Sequence, residues 1–176
     1  VVTSCGPGGQ FGLGGLPLRG DHPLFVVKTG FVPLEQQVAL TAERPVKELQ
    51  VALHPGATIT GQVSDAEGRA VSVARVGIRA ATGEAVFLSA VEPWRRVRTP
   101  VRWERARPRF EFGELDAGTY NIEAFQMAEG RAWHMGRVTG IRVKRGEQER
   151  VKLSPGEVGG RVNIALMSTA GERPLI

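Results

Sequence analysis

The sequence has only one cysteine, Cys5, in 176 residues, so no disulfide can form within the chain. Histidine is scarce too, with three residues, and none has the paired spacing that a zinc site requires. No apolar run approaches the length of a transmembrane helix, and no segment combines helical periodicity with caps. These absences exclude a disulfide scaffold, and the lack of helical segments favours a fold made of strands and turns.

Glycine and proline are abundant, with 23 and 11 residues, which indicates many turns between short strands. The hydrophobic fraction of 41% is typical of a folded chain rather than a disordered one. A formal charge of +5 favours anionic partners but identifies none by itself. We therefore expect an all-β protein, with length for one or two small domains.

The stretch 53–76 has the pattern of a β-hairpin that opens a domain. Ile59 and Val63 have the spacing of residues on one face of a strand. Residues 65–68, Asp-Ala-Glu-Gly, predict a turn, because Asp accepts local backbone hydrogen bonds and Gly permits positive φ. A second strand is predicted over residues 71–76.

The turn is one of several short motifs that follow one another along the chain in two groups. They are Pro55-Gly56, Gly61-Gln62-Val63, Asp65-Ala66-Glu67-Gly68 and Ala74-Arg75-Val76, followed by Phe110-Glu111-Phe112, Leu115 and Gly118-Thr119-Tyr120. In this order they resemble the carboxypeptidase regulatory-like domain, also described as transthyretin-like or prealbumin-like. The resemblance implies a seven-stranded β-sandwich with no catalysis of its own. We expect one sheet to bury Phe110, Phe112, Leu115, Tyr120 and Ile122 against Ile59, Val63, Val76 and Ile78 from the other.

The sequence also matches itself at a spacing of about 100 residues. The matching segments are 11–16 with 110–115, 51–56 with 151–156, and 61–63 with 160–162. This periodicity predicts tandem Ig-like or prealbumin-like Greek-key β-sandwich repeats. Residues 1–54 would be the C-terminal half of one repeat, 55–154 a complete carboxypeptidase regulatory-like sandwich, and 155–176 the opening strands of another.

Apolar alternation locates the remaining strands. Within the first 54 residues, strands are predicted at 11–13 after a turn at 3–9, at 24–29, at 38–40, and at 46–53 with a bulge. Further strands are predicted at 76–80, 86–90, 110–112, 120–124, 133–138, 141–143 and 151–153.

The first residues loosely resemble a bacterial lipoprotein cleavage box, with the sequence Val-Thr-Ser-Cys-Gly at 2–6. Only four residues precede Cys5, without a charged start or an apolar core, so we interpret Cys5 as a turn residue rather than a lipidated one. Because the chain does not begin with Met, we expect a processed chain or an excerpt of a longer one.

Motifs for catalysis are missing. The residues three places after His22, His54 and His134 are Phe25, Ala57 and Arg137, so the His-x-x-Glu pair of a metallocarboxypeptidase is absent. The chain ends in Arg-Pro-Leu-Ile rather than the Tyr-Arg-Gly-Ser of transthyretin-related hydrolases, and it has no nucleophile elbow or phosphate loop. We predict no enzyme activity and no cofactor. Asp65, Glu67 and Asp116 are calcium-ligand candidates, and we assign Asp65 and Glu67 to turn geometry instead.

The most unusual composition lies at 94–109, where seven arginines accompany two tryptophans and one glutamate. Guanidinium groups bind anions through a two-toothed fork, and indole faces stack on bases or sugars. The candidate anion-binding residues are Trp94, Arg95, Arg96, Arg98, Arg102, Trp103, Arg105 and Arg107. The alternative is a solvated hairpin arm, with Val97, Val101 and Trp103 on one face and Arg on the other.

We interpret the chain as a non-enzymatic β-sandwich repeat module of an exported bacterial protein, acting as a spacer, adhesion or assembly element. The extracytoplasmic location follows from the resemblance alone. A protein partner or self-assembly by strand addition is expected, because half a sandwich leaves strand edges unpaired. The second hypothesis is a polyanion-binding module for nucleic acid or acidic polysaccharide that uses residues 94–109.

Overall fold

The structure is a computed structural model that describes residues 1, 3–71, 74–84, 86–87, 98–99, 101–128 and 131–155. These residues form eleven β-strands and no helix, which confirms the all-β prediction. In chain order the strands are β1 Asp21–Val26, β2 Leu34–Ala39, β3 Ala57–Val63, β4 Ala74–Ala80, β5 Val86–Phe87, β6 Arg98–Thr99, β7 Arg102–Ala106, β8 Phe110–Leu115, β9 Gly118–Ala128, β10 Arg131–Val143 and β11 Gln148–Leu153.

Two sheets contain most of the strand residues. One is antiparallel, with the strand order β10–β9–β4–β7. The other has the order β11–β3–β8, in which β3 is antiparallel to β8 and parallel to β11. Both sheets contribute buried side chains to one apolar cluster, so together they form a β-sandwich. The pairs β1–β2 and β5–β6 form separate two-stranded sheets.

The core consists of side chains at alternate strand positions. Each residue predicted for the core is buried, and the least exposed are Ile59, Val63, Val76, Ile78, Phe112 and Ile122, each at 0%. Phe110, Leu115 and Tyr120 are buried as well. The alternation in the sequence therefore identified the inward-facing residues correctly, since neighbouring side chains of a strand point to opposite faces.

The predicted division of these residues between the sheets is wrong. Strand β3 pairs with β8, so Ile59 lies opposite Phe112 in the same sheet. Strand β4 pairs with β9, so Ile78 lies opposite Ile122 in the other sheet. Alternation shows which side chains point inward, but it does not show which strands are neighbours.

The turn at 65–68 forms as predicted. The Gly68 N–H donates to the Asp65 carbonyl at 3.1 Å, and Gly68 has a φ of 82°. The predicted hairpin does not form, however, because β3 and β4 belong to different sheets. A single bridge between Ser64 and Ala70 closes the turn, and β4 takes its partners from β7 and β9.

The first 54 residues contribute one hairpin, which joins β1 to β2 with Asp21 opposite Ala39 and Val26 opposite Leu34. These strands partly overlap the predicted ones at 24–29 and 38–40. The strands predicted at 11–13 and 46–53 are wrong, since both segments are irregular and Val46 is 80% exposed.

Backbone hydrogen bonds join this hairpin to the sandwich. The Val32 N–H donates to the His54 carbonyl at 2.8 Å, and the Gly56 N–H donates to the Gly30 carbonyl at 2.9 Å. The Gly30 N–H donates to Oε1 of Glu114 at 3.3 Å. Glu114 has a φ of 58° at an irregularity in the pairing of β8 with β3, so this contact comes from a residue in the left-handed region.

Tyr120 anchors the connection between β8 and β9. Its hydroxyl donates to the Asp116 carbonyl at 2.9 Å, and the ring is buried in the core. A tyrosine that bonds back to the chain a few residues upstream is a known feature of β-sandwich corners. Burial, with smaller contributions from the charges of Asp116 and Glu84, raises the pKa of Tyr120 to about 12.

We expect ultraviolet titration of the folded protein to show a phenolate midpoint at about 12. In urea the midpoint should return to about 10. Because the folded state holds this proton more tightly, the stabilisation is complete below pH 10 and is lost as the pH rises towards 12. Tyr120 is the only tyrosine in the sequence, so Tyr120→Phe is the control that removes the signal. A midpoint near 10 in the folded protein would contradict the buried corner.

Candidate functional site

The outward side of the four-stranded sheet carries a cationic surface. On β9, Tyr120, Ile122 and Ala124 face the core, so Asn121 and Glu123 take the other side, as the sequence predicted. The same alternation on the neighbouring strands places arginines beside them. We call this surface the outer face and define it by Arg75, Arg79, Arg105, Asn121, Glu123, Phe125, His134, Arg137 and Arg142.

One carboxylate bridges three strands at the centre of the outer face. Oε2 of Glu123 on β9 accepts a hydrogen bond from Arg79 of β4 at 3.0 Å, and its Oε1 forms an ion pair with Nε of Arg137 of β10 at 3.2 Å. Its side chain is only 15% exposed, whereas those of Arg79 and Arg137 are 44% and 52% exposed. The carboxylate is therefore held between two guanidinium groups that still reach solvent.

The neighbouring row of the outer face has positive charge without such a bridge. Arg75 on β4 lies directly opposite Arg105 on β7, and both are exposed. Within the described ranges, no ion pair joins either residue to a carboxylate. On its other side, Arg75 lies opposite Phe125, whose ring meets His134 edge-on at 5.2 Å. This row therefore combines two adjacent arginines with an aromatic pair.

The structure separates the residues that the sequence grouped as an anion site. Trp94, Arg95 and Arg96 lie outside the described residues, as does Val97. Arg98 belongs to β6, opposite Phe87 of β5. Residues 102–106 form strand β7 of the sandwich, so this part is not a projecting arm. The candidates that lie in or directly after β7 are Arg102, Trp103, Arg105 and Arg107.

Arg102 has a structural role within this group. Its Nη2 lies 2.6 Å from Oε1 of Glu104, and its guanidinium lies 5.7 Å from the centre of the buried Phe112 ring. Burial raises the pKa of the Glu104 carboxyl, and the charge of Arg102 acts in the opposite direction. Because the Arg102 side chain is only 14% exposed and already paired, we leave it out of the candidate surface.

Sequence reasoning missed four arginines of the outer face, namely Arg75, Arg79, Arg137 and Arg142. They lie on two strands, β4 and β10, that are far apart in the sequence, and only the pairing of both strands with β9 brings them together. The available signal was their position between inward-facing apolar residues, such as Val76 and Ile78. That signal places a residue on an outward side but does not identify its neighbours.

The calcium and zinc candidates do not come together. Arg69 binds Asp65 at 2.9 Å and Glu67 at 3.0 Å, so both carboxylates serve the turn. Nε2 of His22 lies 2.8 Å from the Pro17 carbonyl, while His134 contacts Phe125. Among the described residues, no group of three or more His, Cys, Asp or Glu could hold a metal ion.

The fold and the outer face define an all-β sandwich protein with a cationic sheet surface. No protein-family model and no curated protein matches the chain. A solved structure from Pseudomonas aeruginosa, described as a candidate carbohydrate binding protein, is similar over 58% of this chain and 90% of its own. It has 21% sequence identity and a TM-score of 0.36, and a similarity of this size identifies no function. In the part of the chain that the structure describes, no helix could cross a membrane.

Proposed function

We propose that the protein is a non-enzymatic β-sandwich module of an exported bacterial protein, and that it acts as a spacer, adhesion or assembly element. The resemblance to the carboxypeptidase regulatory-like domain supports the exported location and the Greek-key repeat organisation. Of these roles, the geometry favours assembly by strand addition most. The supporting observation is a feature of the β1–β2 hairpin.

That feature is a two-stranded sheet with open edges. Within the described chain, β1 and β2 pair only with each other. An isolated two-stranded hairpin is marginally stable in water, and its unpaired N–H and C=O groups are a template for another strand. Phe25 and Val27 are 40% and 37% exposed, while Val38 is buried. Addition of a strand would pair an edge and cover apolar surface.

The donor strand is expected from the end of the chain. The sequence predicts an opening strand at 160–162, which lies outside the described residues. If this segment of one molecule pairs with the hairpin of the next, the contact is heterologous and propagates into a ring or a filament. In a longer protein, flanking sequence would supply the same strand. In both arrangements, each module is joined to the next one through a shared strand.

Deletion of residues 157–176 is expected to reduce an oligomeric chain to a monomer, because the donor strand is removed. Light scattering coupled to size exclusion measures the mass of both chains over a range of concentrations. Val162→Pro is a sharper variant, since proline cannot donate a hydrogen bond within a strand. A full-length chain that stays monomeric at high concentration would contradict strand exchange between molecules.

The second candidate function is polyanion binding through residues 94–109. The observation that favours it is the exposure of Arg105, Arg107 and Arg109 around the end of β7. Several guanidinium groups on one segment bind anionic polymers with a strong dependence on salt. For Trp94, Arg95, Arg96 and Arg98 this role stays a prediction.

A further inference from the structure

On the outer face, arginines already bind one carboxylate of the chain itself. Glu123 accepts a hydrogen bond from Arg79 and forms an ion pair with Arg137, and the two arginines flank it on the two neighbouring strands. Charge-assisted hydrogen bonds of this type are short and roughly twice as strong as neutral ones. The outer face therefore holds one carboxylate between guanidinium groups from the strands on either side of it.

The next row offers two guanidinium groups and lacks the carboxylate. Arg75 and Arg105 are directly opposite each other on adjacent strands, which is a destabilising arrangement for like charges. Across the outer face, five arginines accompany a single described glutamate. An external carboxylate that paired with both Arg75 and Arg105 would relieve their repulsion, as an opposite charge between two like ones does.

We propose that the outer face binds an acidic polysaccharide, and that the Arg75–Arg105 pair holds one of its uronate carboxylates. The internal carboxylate bridge favours carboxylate over phosphate as the recognised group. Phe125 lies opposite Arg75 in the same row, so an aromatic side chain adjoins the arginine pair. Arg137 and Arg142 extend the positive charge along β10, so that a charged polymer can continue across the sheet.

Single-stranded nucleic acid fits this surface less well. Such strands are bound by aromatic side chains on which successive bases stack. Among the described side chains of the outer face, the ring contact is an edge-to-face pair of Phe125 with His134 rather than a row of stacking platforms, and the charged groups are mostly arginines. The proposal is independent of strand exchange, since a monomeric chain carries the same face.

The test measures binding of an oligogalacturonate of fixed length by calorimetry at low ionic strength. The double variant Arg75→Ser with Arg105→Ser should weaken binding by roughly tenfold or more, because two charge-assisted hydrogen bonds are lost. The matched control is Arg150→Ser with Lys152→Ser, which removes the same charge from exposed positions on β11 of the other sheet. The control should change the affinity much less.

A second variant tests the carboxylate bridge directly. Glu123→Gln removes the internal charge and frees Arg79 and Arg137, so oligogalacturonate should bind several-fold more tightly. A triple change of Arg95, Arg96 and Arg98 to Ser reports on the 94–109 segment and should leave this binding largely intact.

Several results would overturn the proposal. They are an absence of oligogalacturonate binding at low salt, equal losses in the outer-face variant and its β11 control, and unchanged or weaker binding by Glu123→Gln. Tighter binding of a single-stranded oligonucleotide or of polyglutamate at equal charge would overturn the ligand class. A loss confined to the triple variant would assign polyanion binding to the 94–109 segment instead.

Discussion

Replacement of Phe112 by alanine is expected to lower the free energy of unfolding by about 3–5 kcal/mol. The Phe112 side chain is fully buried, and its ring centre lies 5.6 Å from that of Phe110. Alanine would leave a cavity between the sheets and would also remove the aromatic surface beneath the Arg102 guanidinium. Urea unfolding followed by circular dichroism measures the loss.

The matched control for Phe112 is Phe25→Ala, which makes the same chemical change on the hairpin, where the side chain is 40% exposed. It should cost less, because part of the Phe25 surface stays in water on folding and its removal leaves no enclosed cavity. If both variants unfold at the same urea concentration as the parent chain, Phe112 does not occupy the core.

Replacement of Gly61 by alanine is expected to cost about 1–3 kcal/mol, through overpacking rather than a cavity. A Cβ at this position would overlap Cζ of Phe110 and would lie 2.6 Å from the carbonyl oxygen of Val151. The second contact is with the backbone of β11, so a change of side-chain rotamer cannot relieve it. Thermal unfolding should show a clear fall in the melting temperature.

Gly113→Ala is the control for this change, since its nearest neighbour for a new Cβ is Oγ1 of Thr58 at 3.9 Å, an ordinary contact. It lies on β8, which pairs with the strand that carries Gly61. A Gly61→Ala protein as stable as the Gly113→Ala protein would show that β3, β8 and β11 are less tightly packed than the distances indicate.

Gly61 also shows what the sequence could and could not predict. The Gly-x-Val motif placed it on a strand between Ile59 and Val63, and the strand is there. The sequence could not show why residue 61 is a glycine. Phe110 and Val151 are far from it in the sequence, and only strand pairing brings them next to Gly61. Local alternation therefore predicted the buried residues, whereas the partners of each strand required the structure.

The same limit applies to the candidate surface. A local count of arginines drew attention to 94–109, yet Arg102 in that segment faces Glu104 and Phe112. The outer face draws its charge from β4, β7 and β10, whose order in the sheet differs from their order in the chain. The predicted hairpin after β3 failed for the same physical reason, since a turn fixes a few backbone bonds and not the sheet that the next strand joins.

The parallel pairing of β3 with β11 has a mechanical consequence. The two strands run side by side in the same direction, from Thr58 opposite Gln148 to Val63 opposite Leu153. Residue 55 therefore precedes the pair at one end of the sandwich, and residue 155 follows it at the other. Tension applied between these two points acts along both strands, so it loads their hydrogen bonds together in shear instead of opening them one by one. Under such a load the lifetime of the sandwich is governed by its rate of unfolding, and this strand pair is the part of the module that resists the pull.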